Sequence, residues 1–90
     1  MMELKQTGQF KKDFKKYKHA SDMLDELQEV LNHLRENGVV PKKYRPHLLF
    51  GNYKDCMECH VQDDFLLIWI DKNKPVIKLL RLGSHSELFK

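Results

Sequence analysis

The residues Met57-Glu58-Cys59-His60-Val61-Gln62-Asp63-Asp64-Phe65-Leu66-Leu67-Ile68-Trp69-Ile70, followed by Val76-Ile77-Lys78-Leu79-Leu80-Arg81-Leu82, decide the fold. Met57, Cys59 and Val61 alternate with Cys56, Glu58 and His60, the period of a strand with two different faces. Phe65 to Ile70 is apolar throughout, as expected of a central strand covered on both sides. Asp71-Lys72-Asn73-Lys74-Pro75 reads as a turn, Val76 to Leu82 as a further strand, and Gly83 breaks it. Upstream of Pro46 the period lengthens to that of a helix. Met23, Leu24, Leu27, Val30, Leu31 and Leu34 recur at three- and four-residue steps, with Ser21 or Asp22 placed to cap the start, Gly38 to end the helix and Pro41 to block its continuation. Phe10, Phe14 and Tyr17 make a shorter helical stripe, and residues 2–7 read as a first strand that Gly8 ends. The order β-α-α-β-β-β predicts an α+β fold: two N-terminal helices packed on one face of a twisted antiparallel sheet, the other face partly open and concave. No repeat, low-complexity stretch or linker divides residues 1–90, so a single domain is expected.

A 41% hydrophobic content is enough for one core, and a formal charge of +3 is mildly basic, compatible with a polyanionic partner. The basic charge is concentrated in Lys11 to Lys18 and in Lys42-Lys43-Tyr44-Arg45, whereas Asp22 to Glu36 leans acidic. Phe65 to Ile70 is the longest apolar run, far short of the ~20 residues a membrane-spanning helix needs. Met1 to Gln9 has no apolar run of the kind a signal peptide carries. A soluble, cytoplasmic protein with no membrane contact and reduced cysteines is therefore expected.

Cys56-Met57-Glu58-Cys59-His60 matches the Cys-x-x-Cys-His pattern of haem attachment. In a strand, however, its two cysteines point to opposite faces, and a structural zinc site wants two such pairs. Packing is the preferred reading, with Cys59 a small hydrophobe and Cys56 a half-exposed filler. His19 and His33 read as solvated helix residues. His47, His60 and His85 lie near strand ends or in connections, alongside Glu58, Asp63, Asp64 and Arg81. Cleaving RNA needs a base for the ribose 2′-hydroxyl, an acid for the leaving 5′-oxygen and a cation for the phosphoryl charge. Imidazoles titrate near neutrality and suit both proton roles; a guanidinium suits the third. A di-histidine metal site is the functional competitor. The lysines Lys11, Lys12, Lys15, Lys16 and Lys18 form a solvated face that can also grip phosphates without reading sequence.

Three blocks carry a resemblance to RelE/YafQ-type toxins of bacterial type II toxin–antitoxin systems. Tyr44-Arg45-Pro46-His47-Leu48-Leu49-Phe50-Gly51 resembles their His-x-Leu-x-Gly segment. Glu58 to Trp69 resembles their strand-turn-strand, and Arg81-Leu82-Gly83-Ser84-His85-Ser86-Glu87-Leu88-Phe89 their Arg-x-Gly-[Thr/Ser]-His-x-x-Leu-Phe ending. The resemblance spans the half of the chain from His47 onward. It implies a RelE/ParE-like fold and an mRNA interferase that enters the A site of the 70S ribosome and cuts mRNA by attack of the 2′-hydroxyl on the adjacent phosphate, with no metal or cofactor. Residue by residue, His47, His60, Asp64 and His85 match the family's acid–base positions. Arg81 matches its phosphate-stabilising arginine, and Phe89 its C-terminal aromatic near the substrate. Glu58 falls where an acidic residue is usual. Lys11, Lys12, Lys15 and Lys16 complete the candidate substrate contacts. Two departures stand out: Asp63 replaces a usual proline before Asp64, and Phe65 stands where some relatives carry tryptophan. His85, following Arg81, is the expected general acid, with His47 or His60 the base.

The main alternative is a non-enzymatic toxin of the same fold, the ParE type that binds DNA gyrase; a plain nucleic-acid-binding module is a third reading. The matched His/Arg/Asp set favours the enzyme. The resemblance also implies a cognate antitoxin, acidic in its toxin-binding segment, docking on the basic helix and the Arg81 face; the toxin alone is expected to be a monomer.

Overall fold

The computed structural model describes residues 1–73 and 75–89. Among them, five strands form one sheet: β1 Glu3–Gln6, β2 His47–Leu48, β3 Met57–Gln62, β4 Phe65–Asn73 and β5 Val76–Gly83, in the spatial order β1-β5-β4-β3-β2. Helices α1 Gly8–Lys15 and α2 Ser21–Asn37 lie between β1 and β2, and α3 His85–Leu88 follows β5. β2, β3, β4 and β5 pair antiparallel, but β1 runs parallel to β5, so the sheet is mixed at that edge rather than wholly antiparallel. Alternation along a strand tells which face a residue occupies, not which way its partner runs. Only a tight turn forces antiparallel pairing, and β1 and β5 are separated by both helices and the other three strands.

The helices cover one face, α1 against β5 and α2 against β3. Phe10, Leu27, Val30 and Leu34 meet Cys59, Val61, Phe65, Leu67, Trp69, Ile77 and Leu79 there. On the opposite face Leu66, Ile68, Cys56 and Leu88 form a smaller apolar cluster, flanked by Tyr53, Leu80 and Phe89. β4 is thus covered on both sides, as its unbroken apolar run predicts. Cys56 is buried rather than half-exposed, because it shares that cluster with Leu88 of α3, an element whose four residues are too few to show a helical period. Cys56 and Cys59 are free and belong to different clusters.

Local chemistry sets the helix ends. Thr7 Oγ1 accepts the Phe10 N–H at 3.1 Å, so the chain turns straight from β1 into α1 and Gly8 opens the helix. α1 stops at Lys15, leaving Tyr17 in the turn beyond it. Its inward stripe is Phe10 and Asp13, each 1% exposed, while Phe14 sits at the rim, 37% exposed. α2 is capped by the backbone of Ala20, not by Ser21 or Asp22. Ala20 N–H donates to the Tyr17 carbonyl at 2.9 Å, so one turn feeds directly into the next helix, and Asp22 remains inside it where its charge favours the N-terminus. Gly38 ends α2 with φ 74°, its N–H donating to the Leu34 carbonyl, a conformation that suits glycine. β4 runs on through Asn73, which pairs with Val76; of the turn expected over Asp71 to Pro75, Lys74 lies outside the described residues. No helix among the described residues is long and apolar enough to cross a membrane.

Candidate active site

The sheet face away from α1 and α2 carries a polar row. His47 lies opposite Glu58, Glu58 opposite Ile68, and Ile68 opposite Arg81. A second row runs His60, Leu66, Gly83. Directly opposed residues share a face, and adjacent strands are about 5 Å apart. The β3 histidine and the end of β5 that launches α3 therefore lie ~10 Å apart, within reach of one phosphate. The register helps to aim Arg81. Trp69 opposes Leu79 while Ile68 opposes Arg81, so β5 takes two steps to one on β4, an irregularity of the kind that redirects side chains.

Two groups of side chains form. In the first, His47 Nδ1 donates to the Arg45 carbonyl at 2.9 Å and Nε2 lies 3.1 Å from Glu58 Oε1. A carbonyl only accepts, so Nδ1 carries a hydrogen, and the contact between Nε2 and the carboxylate then requires one further shared proton. Glu58 is 4% exposed, and its Oε2 has no hydrogen-bond partner among the described residues. His60, half-buried, stacks loosely against His47 with ring centroids 6.1 Å apart. Its Nδ1 donates to the Asp63 carbonyl at 3.3 Å, which leaves the Nε2 lone pair free to take a proton.

The second group is built around Arg81 and α3. Arg81 Nε and Nη2 donate to the two oxygens of Asp13 at 2.8 and 3.3 Å, and Nη1 donates to the Tyr53 hydroxyl at 3.3 Å. Burial alone would raise the Asp13 carboxyl. Hydrogen bonds from Arg81, the Leu82 N–H and Gln9, with the guanidinium charge, hold it below its ordinary value. Arg81 is raised in turn, chiefly by its bonds to Asp13. Ser84 and Glu87 form a reciprocal capping box that starts α3, and Tyr17 donates its hydroxyl to Glu87. The Ser84 N–H, then the Tyr17 hydroxyl, pull the Glu87 carboxyl down to about 2. Burial, and then Glu87, push the Tyr17 phenol up to about 12.

On that helix His85 is exposed, and its backbone N–H donates to Asp64 Oδ1 at 2.8 Å. The His85 ring stacks on Phe89 at 4.8 Å, and Phe89 meets Tyr53 edge-on at 5.4 Å. The Tyr53 hydroxyl donates to the Leu88 carbonyl at 3.1 Å.

Of the residues picked from sequence, His47, Glu58 and His60 come together, and so do Asp64, His85 and Phe89. Arg81 joins the latter through Tyr53. Lys16 lies 3.7 Å from the Glu87 carboxylate, whereas Lys11, Lys12 and Lys15 stay on the exposed face of α1, outside both groups. Asp13, Tyr53, Tyr17 and Glu87 were not among the candidates. Two had a signal: Asp13 is an acidic residue at the inward i+3 position from Phe10, and Ser84-His85-Ser86-Glu87 spells a capping box. Tyr53 had none.

A small α+β fold gathers imidazoles, carboxylates and one anchored guanidinium on the less covered side of its sheet, the side-chain types that proton transfer beside an anionic group requires. The chain belongs to the YafQ family: the sequence profile described as "Bacterial toxin of type II toxin-antitoxin system, YafQ" matches residues 2–90. The mRNA interferase toxin YafQ of Escherichia coli (strain K12) is 28% identical over 88 residues, covering 97% of this chain and 95% of that protein. The toxin in a crystal structure of the E. coli DinJ-YafQ complex superposes with a TM-score of 0.86 at 27% identity, each chain covered in full. A metal-bound toxin from Helicobacter pylori superposes with a TM-score of 0.85 at 37% identity, over 99% of this chain and all of that one.

Proposed function

We propose that this chain is the toxin of a type II toxin–antitoxin pair and an endoribonuclease that cuts mRNA on the ribosome. The observation that carries the reading is the pair of cross-strand rows. They set His60 on one side of β4 and Arg81 with the His85 helix on the other. His60 is the base: the Asp63 carbonyl fixes its hydrogen on Nδ1, and Nε2 takes the proton of the 2′-hydroxyl. That oxygen attacks the adjacent phosphate. Arg81 stabilises the charge that builds on the phosphoryl oxygens, and His85 protonates the 5′-oxygen as it leaves. Asp64 orients His85 by holding its backbone, and Phe89 backs its ring. His47 and Glu58 pair beside His60, with Nε2 3.1 Å from Oε1, and fix the edge of the site there.

Membership in the family and the DinJ-YafQ complex of a relative support a cognate antitoxin, for which the lysines of α1 offer a basic surface. The deciding experiment is cleavage of ribosome-bound mRNA. The wild-type chain cuts; folded His85→Ala loses ~10²- to 10⁴-fold in rate. Unchanged cleavage by folded His85→Ala overturns the assignment, and gyrase inhibition without any cleavage points instead to the ParE-type reading.

A second reading concerns the first group alone. The ligand atoms of His47, Glu58 and His60 lie within 4.8 Å of one another, and the unpartnered Oε2 of Glu58 is a free acceptor. Two imidazoles and a carboxylate suit zinc or copper, and the H. pylori relative is described as metal-bound. An ion held there displaces the shared proton and occupies the lone pair the base needs, so it inhibits. Added zinc should suppress cleavage and a chelator restore it; cleavage indifferent to zinc removes this reading.

A further inference from the structure

We propose that Asp13 and Tyr53 are positioning residues for Arg81, and that Tyr53 couples the guanidinium to the helix that carries His85. The inference rests on the proposed role of Arg81 at the scissile phosphate.

A guanidinium has five N–H donors. Asp13 takes two, through Nε and Nη2, and Tyr53 takes one from Nη1. Two N–H groups, on Nη1 and Nη2, remain for a phosphate. Asp13 is itself held on all sides. Its Oδ2 also accepts the Leu82 N–H at 3.0 Å and its Oδ1 the Gln9 side-chain amide at 3.0 Å. The Leu82 bond has a topological origin. β1 pairs with β5 from Val76 to Leu79, and beyond Leu79 the β5 edge has no strand beside it among the described residues. The chain leaves β1 for α1 at that point, and Asp13 satisfies a backbone donor that a longer β1 would have taken. The carboxylate that closes the sheet edge is the one that clamps the arginine.

A carboxylate 1% exposed gains nothing from burial by itself, so its place on the apolar stripe of α1 is maintained by what it holds. The pairing also changes what Arg81 offers. Its charge is largely cancelled by Asp13, so RNA in its ground state feels little net attraction there. What remains is a pair of N–H donors fixed in direction, of most use when charge builds on the phosphoryl oxygens. Tyr53 supplies the second constraint: it accepts from Arg81, donates to the Leu88 carbonyl and braces Phe89, which stacks on His85. The cation and the proton donor are thereby held by one side chain.

Cleavage of ribosome-bound mRNA by five variants, with kcat and KM measured separately, tests this. Tyr53→Phe keeps the ring against Phe89 and removes only the hydroxyl, with its bonds to Arg81 and to the Leu88 carbonyl; it should lower kcat about 5- to 100-fold, the worth of two ordinary hydrogen bonds, with KM within error of wild type. In an Arg81→Lys background the same change should cost several-fold less, because only the bond to the Leu88 carbonyl is left to lose. Asp13→Asn should lower kcat more than Tyr53→Phe, again at constant KM; if it fails to fold, the Tyr53 cycle still decides. Arg81→Ala separates the two levels. Wild-type kcat in folded Arg81→Ala removes the role proposed for Arg81 itself. A large loss in Arg81→Ala, together with wild-type kcat in Tyr53→Phe or additive losses in the double variant, leaves that role standing and overturns the positioning inference.

Discussion

Removing the Glu87 carboxylate tests whether His85 is held by a four-residue helix that could not stand alone. Glu87→Ala deletes half of the capping box and strands the Tyr17 hydroxyl. Loss of the cap costs about 1 kcal/mol. Leaving the half-buried hydroxyl without its partner adds about 1 kcal/mol. The outer oxygen touches solvent beside Lys16, so that exposed pair adds little. The sum, about 2 kcal/mol, is a ~30-fold shift from docked toward undocked helix. It falls on α3 and not on the main core, because Leu88 is the buried anchor of α3 in the smaller cluster. The amide hydrogens of Leu88 and Phe89, bonded to the Ser84 and His85 carbonyls, should exchange up to about 30-fold faster, and kcat should fall with little change in Tm. A pH arm sharpens the test. The Glu87 pKa is depressed from 4.5 to about 2, so its stabilisation is complete above 4.5 and is lost as pH falls through about 2. Protection of the Leu88 amide, relative to its intrinsic exchange rate at each pH, should fall over that window in the wild type and stay flat in Glu87→Ala. Unchanged exchange and unchanged cleavage in Glu87→Ala would refute the reasoning.

Asp64→Asn keeps an oxygen for the His85 N–H and should retain kcat within about threefold, whereas Asp64→Ala should lose about 3- to 10-fold; a 100-fold loss in Asp64→Asn would mean that Asp64 transfers protons instead. Cys59 lies fully buried with its thiol pushed up to about 12 by burial and then Glu58, so iodoacetamide should leave it unmodified at pH 8 in the folded protein; rapid alkylation would contradict the packing. Leu34→Ala, at a fully buried site where α2 meets the sheet, should lower unfolding free energy by about 2–5 kcal/mol in urea melts; a loss below about 1 kcal/mol would contradict its place in the core.

The amino-acid sequence by itself determined the elements whose signal is local. The alternation from Met57 to Val61, the apolar run from Phe65 and the stripe of α2 each repeat within a few residues, and each is where periodicity places it. The three blocks that carry the family resemblance are also local, so His47, His60, Arg81 and His85 were all legible as candidates. What tertiary structure decided depends on register and on the direction of distant partners. The parallel pairing of β1 with β5 has no turn to announce it. Asp13 looked like one acid among lysines until the end of β1 left a Leu82 N–H and an Arg81 guanidinium for it to hold. Tyr53 acquires its role only because Arg81, Leu88 and Phe89, 28 or more residues away, converge on it. The contact between His47 and Glu58 exists because β2 and β3 pair in one register; a slip of one residue would turn Glu58 to the helix-covered face. Periodicity reports the face of an element, which backbone geometry sets residue by residue. Which faces meet is settled by burying the whole core at once, and the site is assembled from those meetings.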